Sequence, residues 1–222
     1  MVIWKGIDLR NKGIIVDYIP KISKARKKID IYQIDGRNGF LSVDTDTYEP
    51  FSLNITCHCQ DNVDLDDIKS FLDGFGTISF DNERNYTAIV DNTIPFEQVQ
   101  NFKRFQISFK VNPIAESIDE TTIDLTSLSE FNINTYYKIY PILTIVCSGN
   151  ISVNINNKIF YLKNTNGTYT LDCNNKEIFD SNNINCSFLM QNDFPSFKNG
   201  INTISTTGTI TSLIAKYKKT YL

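Results

Sequence analysis

The chain of 222 residues predicts a mainly β protein in two units, the first of them α+β with one short helix packed on a β-sheet or sandwich. Three observations carry that expectation. Apolar and polar residues alternate with period two over 51–59 and 105–111, the spacing that sends successive side chains to opposite faces of a strand. One segment, 61–74, carries helical spacing instead. Beyond Pro113 asparagine becomes abundant, with 16 in residues 113–222 against 9 before, and short β-branched runs recur between turn signals. A chain of this length suits one large or two small domains. The expected divisions are 1–112, a connecting segment 113–137 richer in Ser, Thr and acids, and 138–222.

The elements follow in order. Residues 2–7 are a short apolar-rich segment, and Gly6 and Gly13 bracket a turn. Residues 14–19 are β-branched and aromatic, a strand ending at Pro20. The basic run from Lys24 to Lys28 reads as a solvated strand end rather than a contact for DNA or an acidic partner, because its domain is not basic as a whole. Residues 29–41 then alternate up to Asp35 and resume apolar character at Phe40. Between them, Asp35-Gly36 and Asn38-Gly39 flank Arg37. These dipeptides readily supply the positive φ that hairpins need, so the stretch predicts strand, turn and returning strand.

After the hairpin, Phe51, Leu53, Ile55, Cys57 and Cys59 share one face of the clearest half-buried strand. In 61–74, Leu65, Ile68 and Leu72 recur at helical spacing, carboxylates gather at the start, and Gly74 stands just past the end. Asp64, Asp66 and Asp67 lack the central glycine and late glutamate of a calcium loop, so they read as helix caps. Gly74-Phe-Gly76 follows a helix and precedes a strand, the wrong order for a phosphate loop. Strands are expected over 77–80, 86–90 and 105–111, with a break at Asn112-Pro113. In the second half they are expected over 142–147, 151–155, 158–162, 168–172, 185–189, 200–204 and 210–217. Asn156-Asn157, Asn166-Gly167 and Asn174-Asn175 serve as hairpin tips. Seven short strands at this spacing suggest an all-β sandwich or jelly roll.

Net charge is −3 and divides evenly. Residues 1–112 hold 14 Lys and Arg against 16 Asp and Glu, and the remainder holds 8 against 9. Phosphate-backbone binding needs a basic excess that neither half has. The N-terminal residues show no basic region followed by an apolar run, and no stretch approaches the roughly 20 apolar residues that span a bilayer. A protein made in a reducing cytoplasm, without a membrane partner, is expected. The five cysteines, an odd number, fit no closed disulfide framework. On a strand Cys57 and Cys59 point one way and His58 the other, so small buried residues beside an outward histidine are expected, and no metal.

Catalytic chemistry is sparse. His58 is the sole histidine, and no serine lies in a Gly-x-Ser-x-Gly elbow. A glycosidase needs two carboxylates, but the acids here sit mainly at turns and caps. No enzyme, no catalytic residue and no cofactor is expected.

The ordered features of the first half are Gly6-Ile7, Ile34-Asp-Gly-Arg-Asn-Gly39, Tyr48-Glu49, a capped helix closing in Leu72-Asp-Gly-Phe-Gly76, and Asn112-Pro113. In the second half they are Pro141-Ile-Leu-Thr-Ile145, Leu171-Asp-Cys173, Phe194-Pro-Ser-Phe-Lys-Asn-Gly-Ile-Asn202 and Thr207-Gly208. This series resembles the distal tail proteins of bacteriophages with long non-contractile tails. The resemblance covers nearly the whole chain. It implies a virion structural protein at the tail tip, assembled in the host cytoplasm. Its N-terminal domain would form a hexamer continuing the tail tube, and its C-terminal β-sandwich would be galectin-like. The implied partners are further copies, the tail tube protein, tail-tip proteins and a receptor-binding protein, with DNA only in transit. Asp35, Gly36, Arg37, Asn38 and Gly39 are then candidate interface residues, projecting toward a neighbouring subunit or tail partner. Two other readings stand beside this one. A carbohydrate-binding tail module would place sugar recognition in the second half, and a tail-associated cell-wall hydrolase would rest on one or two carboxylates.

Overall fold

The computed structural model describes residues 1–19, 21–22, 24–80 and 83–222. The expected strand end at Pro20 lies outside the described residues. The chain separates into two compact units, residues 1–115 with Leu222, and residues 116–221.

The first unit opens with β1 (Ile3–Trp4) and β2 (Ile7–Asp8), joined through Lys5 and Gly6, both at positive φ. A short 3-10 turn leads to β3 (Ile14–Tyr18). β4 (Lys27–Tyr32) and β5 (Leu41–Tyr48) form a two-stranded sheet of their own. β6 (Phe51–Gln60) precedes the helix α1 (Leu65–Leu72). β7 (Phe75–Ser79), β8 (Arg84–Val90), β9 (Glu97–Val99) and β10 (Phe102–Asp124) follow. All these pairings are antiparallel where their register is defined, the arrangement that short connections permit.

The alternation in 51–59 and 105–111 does what its period requires. Phe105 stands opposite Cys57, Ile107 opposite Ile55 and Phe109 opposite Leu53, so one face of the β6–β10 pair is apolar and buried. The other face carries Ser52, Asn54, His58, Arg104 and Gln106. Trp4 closes the core. Its ring is fully buried at 5.0 Å from Phe109, and its Nε1 donates to Phe71 O at the end of α1 (3.2 Å). The helix begins as its sequence demands: the Asp64 side chain accepts from Asp66 N at 2.9 Å, and Ile68 and Leu72 turn inward. Gly76 in β7 lies flat against Trp4, where a Cβ would come within 3.0 Å of the indole and 2.6 Å of Lys5 Cγ. Close approach, not phosphate binding, accounts for the second glycine of Gly74-Phe-Gly76.

The expected break at Asn112-Pro113 does not occur, since β10 runs on to Asp124. The ladder with β6 ends at Val111–Phe51, so the amide-less Pro113 falls past it. Residues 116–124 of β10 lie in the second unit. That unit contains β11 (Glu130–Ile133), β12 (Ile142–Ile155), β13 (Lys158–Asp172), β14 (Glu177–Asp180), β15 (Met190–Gln191) and β16 (Gly200–Tyr221). Its strand order is β14-β13-β12-β16-β10, with β11 added on β16 and β15 on β13.

Several of the short strands expected here are halves of long ones. Residues 142–147 and 151–155 make one strand, β12, whose register with β13 shifts between Gly149 and Ile151. Residues 200–204 and 210–217 both lie in β16. Asn166-Gly167 is no hairpin tip: Asn166 pairs with Ser148 and Gly167 with Cys147 inside the β12–β13 ladder. Bulges bend a strand without ending it, and their glycines and asparagines imitate turn signals. Residues 185–189 form no strand; Ser187–Leu189 is a 3-10 turn, begun where Asn185 Oδ1 accepts from Ser187 N at 3.0 Å. The tip at Asn156-Asn157 is as expected, with φ of 54° and 65° joining β12 to β13. Asn174-Asn175 also turns the chain, both amides donating to Asp172 Oδ1.

The core of this unit packs Leu143, Ile145, Val153, Phe160, Leu171 and Phe197, among others. Among the described residues, four buried polar ones belong to this unit, Thr135, Thr165, Asn202 and Thr220, and Asn202 is the most deeply enclosed. Asn202 is wholly enclosed, and its amide is fully used: Oδ1 accepts from Lys198 N (2.8 Å), while Nδ2 donates to Lys198 O and Gly200 O (2.9 Å each). This gives the Gly-Ile-Asn segment a structural role at the start of β16.

Candidate assembly interface

The feature of the first unit that its own core does not explain is the β4–β5 ribbon. Antiparallel partners that face each other share a side of the sheet. Ile29 faces Asp44 and Ile31 faces Ser42, while Asp30 faces Val43 and Tyr32 faces Leu41. Isoleucines therefore occupy one side, and Tyr32, Leu41 and Val43 the other. Each face of the ribbon therefore carries apolar side chains, and Ile29, Ile31, Tyr32, Leu41 and Val43 are all exposed. Ile31 is 60% exposed and Phe40 is 63% exposed. The sequence showed the alternation but not this register. The apolar residues Ile31, Tyr32, Leu41 and Val43 were missed as interface candidates for that reason, although the clash of phase is visible once the turn length is fixed.

The five expected interface residues sit together in the connection 33–40, and every residue of it is exposed. The tight two-glycine hairpin is longer than expected, because the ladder stops at Tyr32–Leu41. Within it, Arg37 N donates to Ile34 O at 3.1 Å, closing a turn over Asp35 and Gly36. Gly36 and Gly39 have φ of 79° and 90°, and a Cβ on either would meet nothing within 4 Å. Backbone conformation, not lack of space, selects glycine at both.

The base of the ribbon is fastened by polar contacts. Glu49 N donates to Arg26 O at 2.8 Å, which gives Tyr48-Glu49 its position at the ribbon's foot. A bulge between Lys28 and Ile29 is shaped by Asp46, at φ 51°, whose amide donates to Asp44 Oδ1. Lys27 bonds Asp44, and that ammonium holds the Asp44 carboxyl below its ordinary value. The basic run is thus the solvated approach to a strand, with Ala25 buried and Lys27 paired.

Elsewhere, His58 Nδ1 lies 2.6 Å from Asp17 Oδ1, and its ring packs at 5.5 Å on Phe102. Cys57 and Cys59 point to the opposite, buried side, and burial pushes the Cys57 thiol up to about 12. Among the described residues no cluster of three or more His, Cys, Asp or Glu could hold a metal, and no helix is long and apolar enough to cross a membrane.

Taken end to end, the chain has the fold of a phage distal tail protein. One solved structure of similar fold is the crystal structure of SPP1 Dit, a paradigm of the hub adsorption apparatus in phages infecting Gram-positive hosts. The likeness holds at a TM-score of 0.76 over 100% of this chain and 98% of that one, with 16% sequence identity. No protein-family model and no curated protein matches the sequence.

Proposed function

We propose that this chain is the hub at the distal end of a phage tail. Six copies form a ring that joins the tail tube to the tail-tip and receptor-binding components, and DNA passes through it in transit. The observation that carries the reading is the end-to-end likeness in fold to SPP1 Dit. The ribbon supports it. A lone two-stranded hairpin is marginal in water, and this one offers apolar side chains on both faces. An insertion between two neighbouring surfaces suits that pattern better than docking on one.

Magnitudes favour a closed ring over a pair. Seven apolar residues of the ribbon and its connection are about half exposed: Ile29, Ile31, Tyr32, Ile34, Phe40, Leu41 and Val43. Covering them contributes on the order of 1 kcal/mol each. Association costs about 4–15 kcal/mol, so one such contact is weak. In a head-to-tail ring every copy makes two, and closure allows none to leave by breaking only one. Asp35, Gly36, Arg37, Asn38 and Gly39 lie at that contact, with a neighbouring subunit or a tail partner. Light scattering and electron microscopy of the purified chain test the reading, with six-membered rings expected. Deletion of Arg37 and Asn38 is expected to abolish rings and infectious particles. A lasting monomer, or intact rings from the deletion, would overturn it.

A further inference from the structure

The sequence contains three Asn-Gly steps: Asn38-Gly39, Asn166-Gly167 and Asn199-Gly200. In such a step the glycine nitrogen can attack the preceding side-chain amide, since no Cβ shields it and the backbone turns freely. Structure decides which step can reach that geometry. Asn166 and Gly167 are inside the β12–β13 ladder, and Asn166 N donates to Tyr169 Oη at 3.2 Å. Asn199 Oδ1 accepts from Thr135 N at 3.2 Å, and Gly200 pairs with Ile133. Asn38 is in the exposed connection of the ribbon, between the turn at Asp35-Gly36 and the left-handed Gly39. Nothing stands within 4 Å of the place where a Gly39 Cβ would be, and residues 33–40 are all exposed, so no packed neighbour holds this step in place.

We propose that Asn38 is a self-modifying site, the position at which this chain deamidates. The Gly39 amide gives up its proton and its nitrogen bonds to Asn38 Cγ. The bond from Cγ to the side-chain nitrogen breaks, and ammonia leaves with the proton. Water then opens the cyclic imide at one carbonyl or the other. The product is aspartate, or isoaspartate with one more main-chain carbon; water is consumed, ammonia released, and nothing is oxidised or reduced. In the connection, Asp35 and Arg37 balance each other, and the reaction adds an uncompensated carboxylate beside them. Resting on the reading that this tip is an assembly contact, the free subunit carries a clock: a copy that waits too long changes the charge of its own contact, whereas docking covers the site.

The test is incubation of the purified full-length chain in mildly alkaline buffer, with acid formation followed by peptide mass spectrometry. Asn38 is expected to convert about tenfold or more faster than Asn166 or Asn199, which require local opening first. Equal or faster conversion at either of those overturns the proposal. In urea the three rates are expected to converge; a preference that survives unfolding would assign the cause to local sequence and overturn the structural argument. A direct Asn38→Asp chain is expected to lose ring formation. Normal rings from it, with Asn38 still converting first in the native chain, would sink the assembly clock and leave the modification site standing.

Discussion

Asn156 Nδ2 donates to Asn202 Oδ1 at 2.7 Å, and this bond ties the β12–β13 turn to the start of β16. Asn156 completes the link by accepting from Thr203 N at 3.2 Å. Two residues 46 apart in sequence thus hold one end of the second unit together. Asn202→Ala removes the partner of Lys198 N, Lys198 O and Gly200 O and empties a wholly enclosed site, so a loss of about 1–3 kcal/mol is expected. Trp4 is the sole tryptophan and lies in the first unit, so its emission reports that unit by itself. The denaturant midpoint of the β-sheet circular dichroism signal should fall while the Trp4 midpoint stays. A matching fall in both would mean that the units unfold together.

Gly76→Ala drives a methyl group into Trp4, which Phe109 backs at 5.0 Å. Overpacking of this kind costs about 1–3 kcal/mol. The expected readout is a lower Trp4 midpoint with a shifted emission maximum. Gly74→Ala, where a Cβ meets nothing but φ is 77°, should cost less and leave the emission unchanged.

Gly208 combines both penalties. Its φ is 91°, and a Cβ would stand 2.5 Å from Asn150 O, where β16 crosses the bulge of β12. Gly208→Ala should destabilise the second unit by about 2–3 kcal/mol, measured by thermal unfolding, and should spare the Trp4 signal.

The ribbon's base should loosen in acid. Asp44 titrates below its ordinary 3.8 because Lys27 bonds it. A depressed carboxyl stabilises above its unfolded value and loses that contribution as pH falls through the folded one. Hydrogen exchange of the β4–β5 amides should therefore quicken, relative to the intrinsic rate, as pH drops below about 4. The pair is exposed, so high salt should weaken the effect. Asp44→Asn should remove it.

All five cysteines are unpaired and buried. Desolvation pushes the thiols of Cys57, Cys59, Cys147 and Cys173 upward, away from the reactive thiolate. Native chain should resist iodoacetamide near neutral pH and take up label only on unfolding, as mass spectrometry would show.

The β6 and β10 strands were legible because burial on one face writes period two directly into the sequence. Helix α1 was legible because Asp64 and Gly74 mark its ends. Strand length was not. Gly149, Gly167 and Gly208 carry turn-like φ values in the middle of strands, and a single chain does not distinguish a bulge from a turn without its partner. Pro113 misled for a related reason: a proline ends a strand only where the partner needs its N–H. At the ribbon, Asp35-Gly36 and Asn38-Gly39 announced the turn, whereas the exposure of Ile31 and Val43 depends on a register that no local signal sets.

Until something covers it, the β4–β5 ribbon leaves both long edges bare, each a row of open donors and acceptors able to recruit any extended peptide. Lys28, Asp30 and Asp44, spaced among the isoleucines, impose a charge penalty on that misjoining. Replacing those charges by neutral groups is expected to promote edge-to-edge association of the ribbon, read as turbidity of the purified chain.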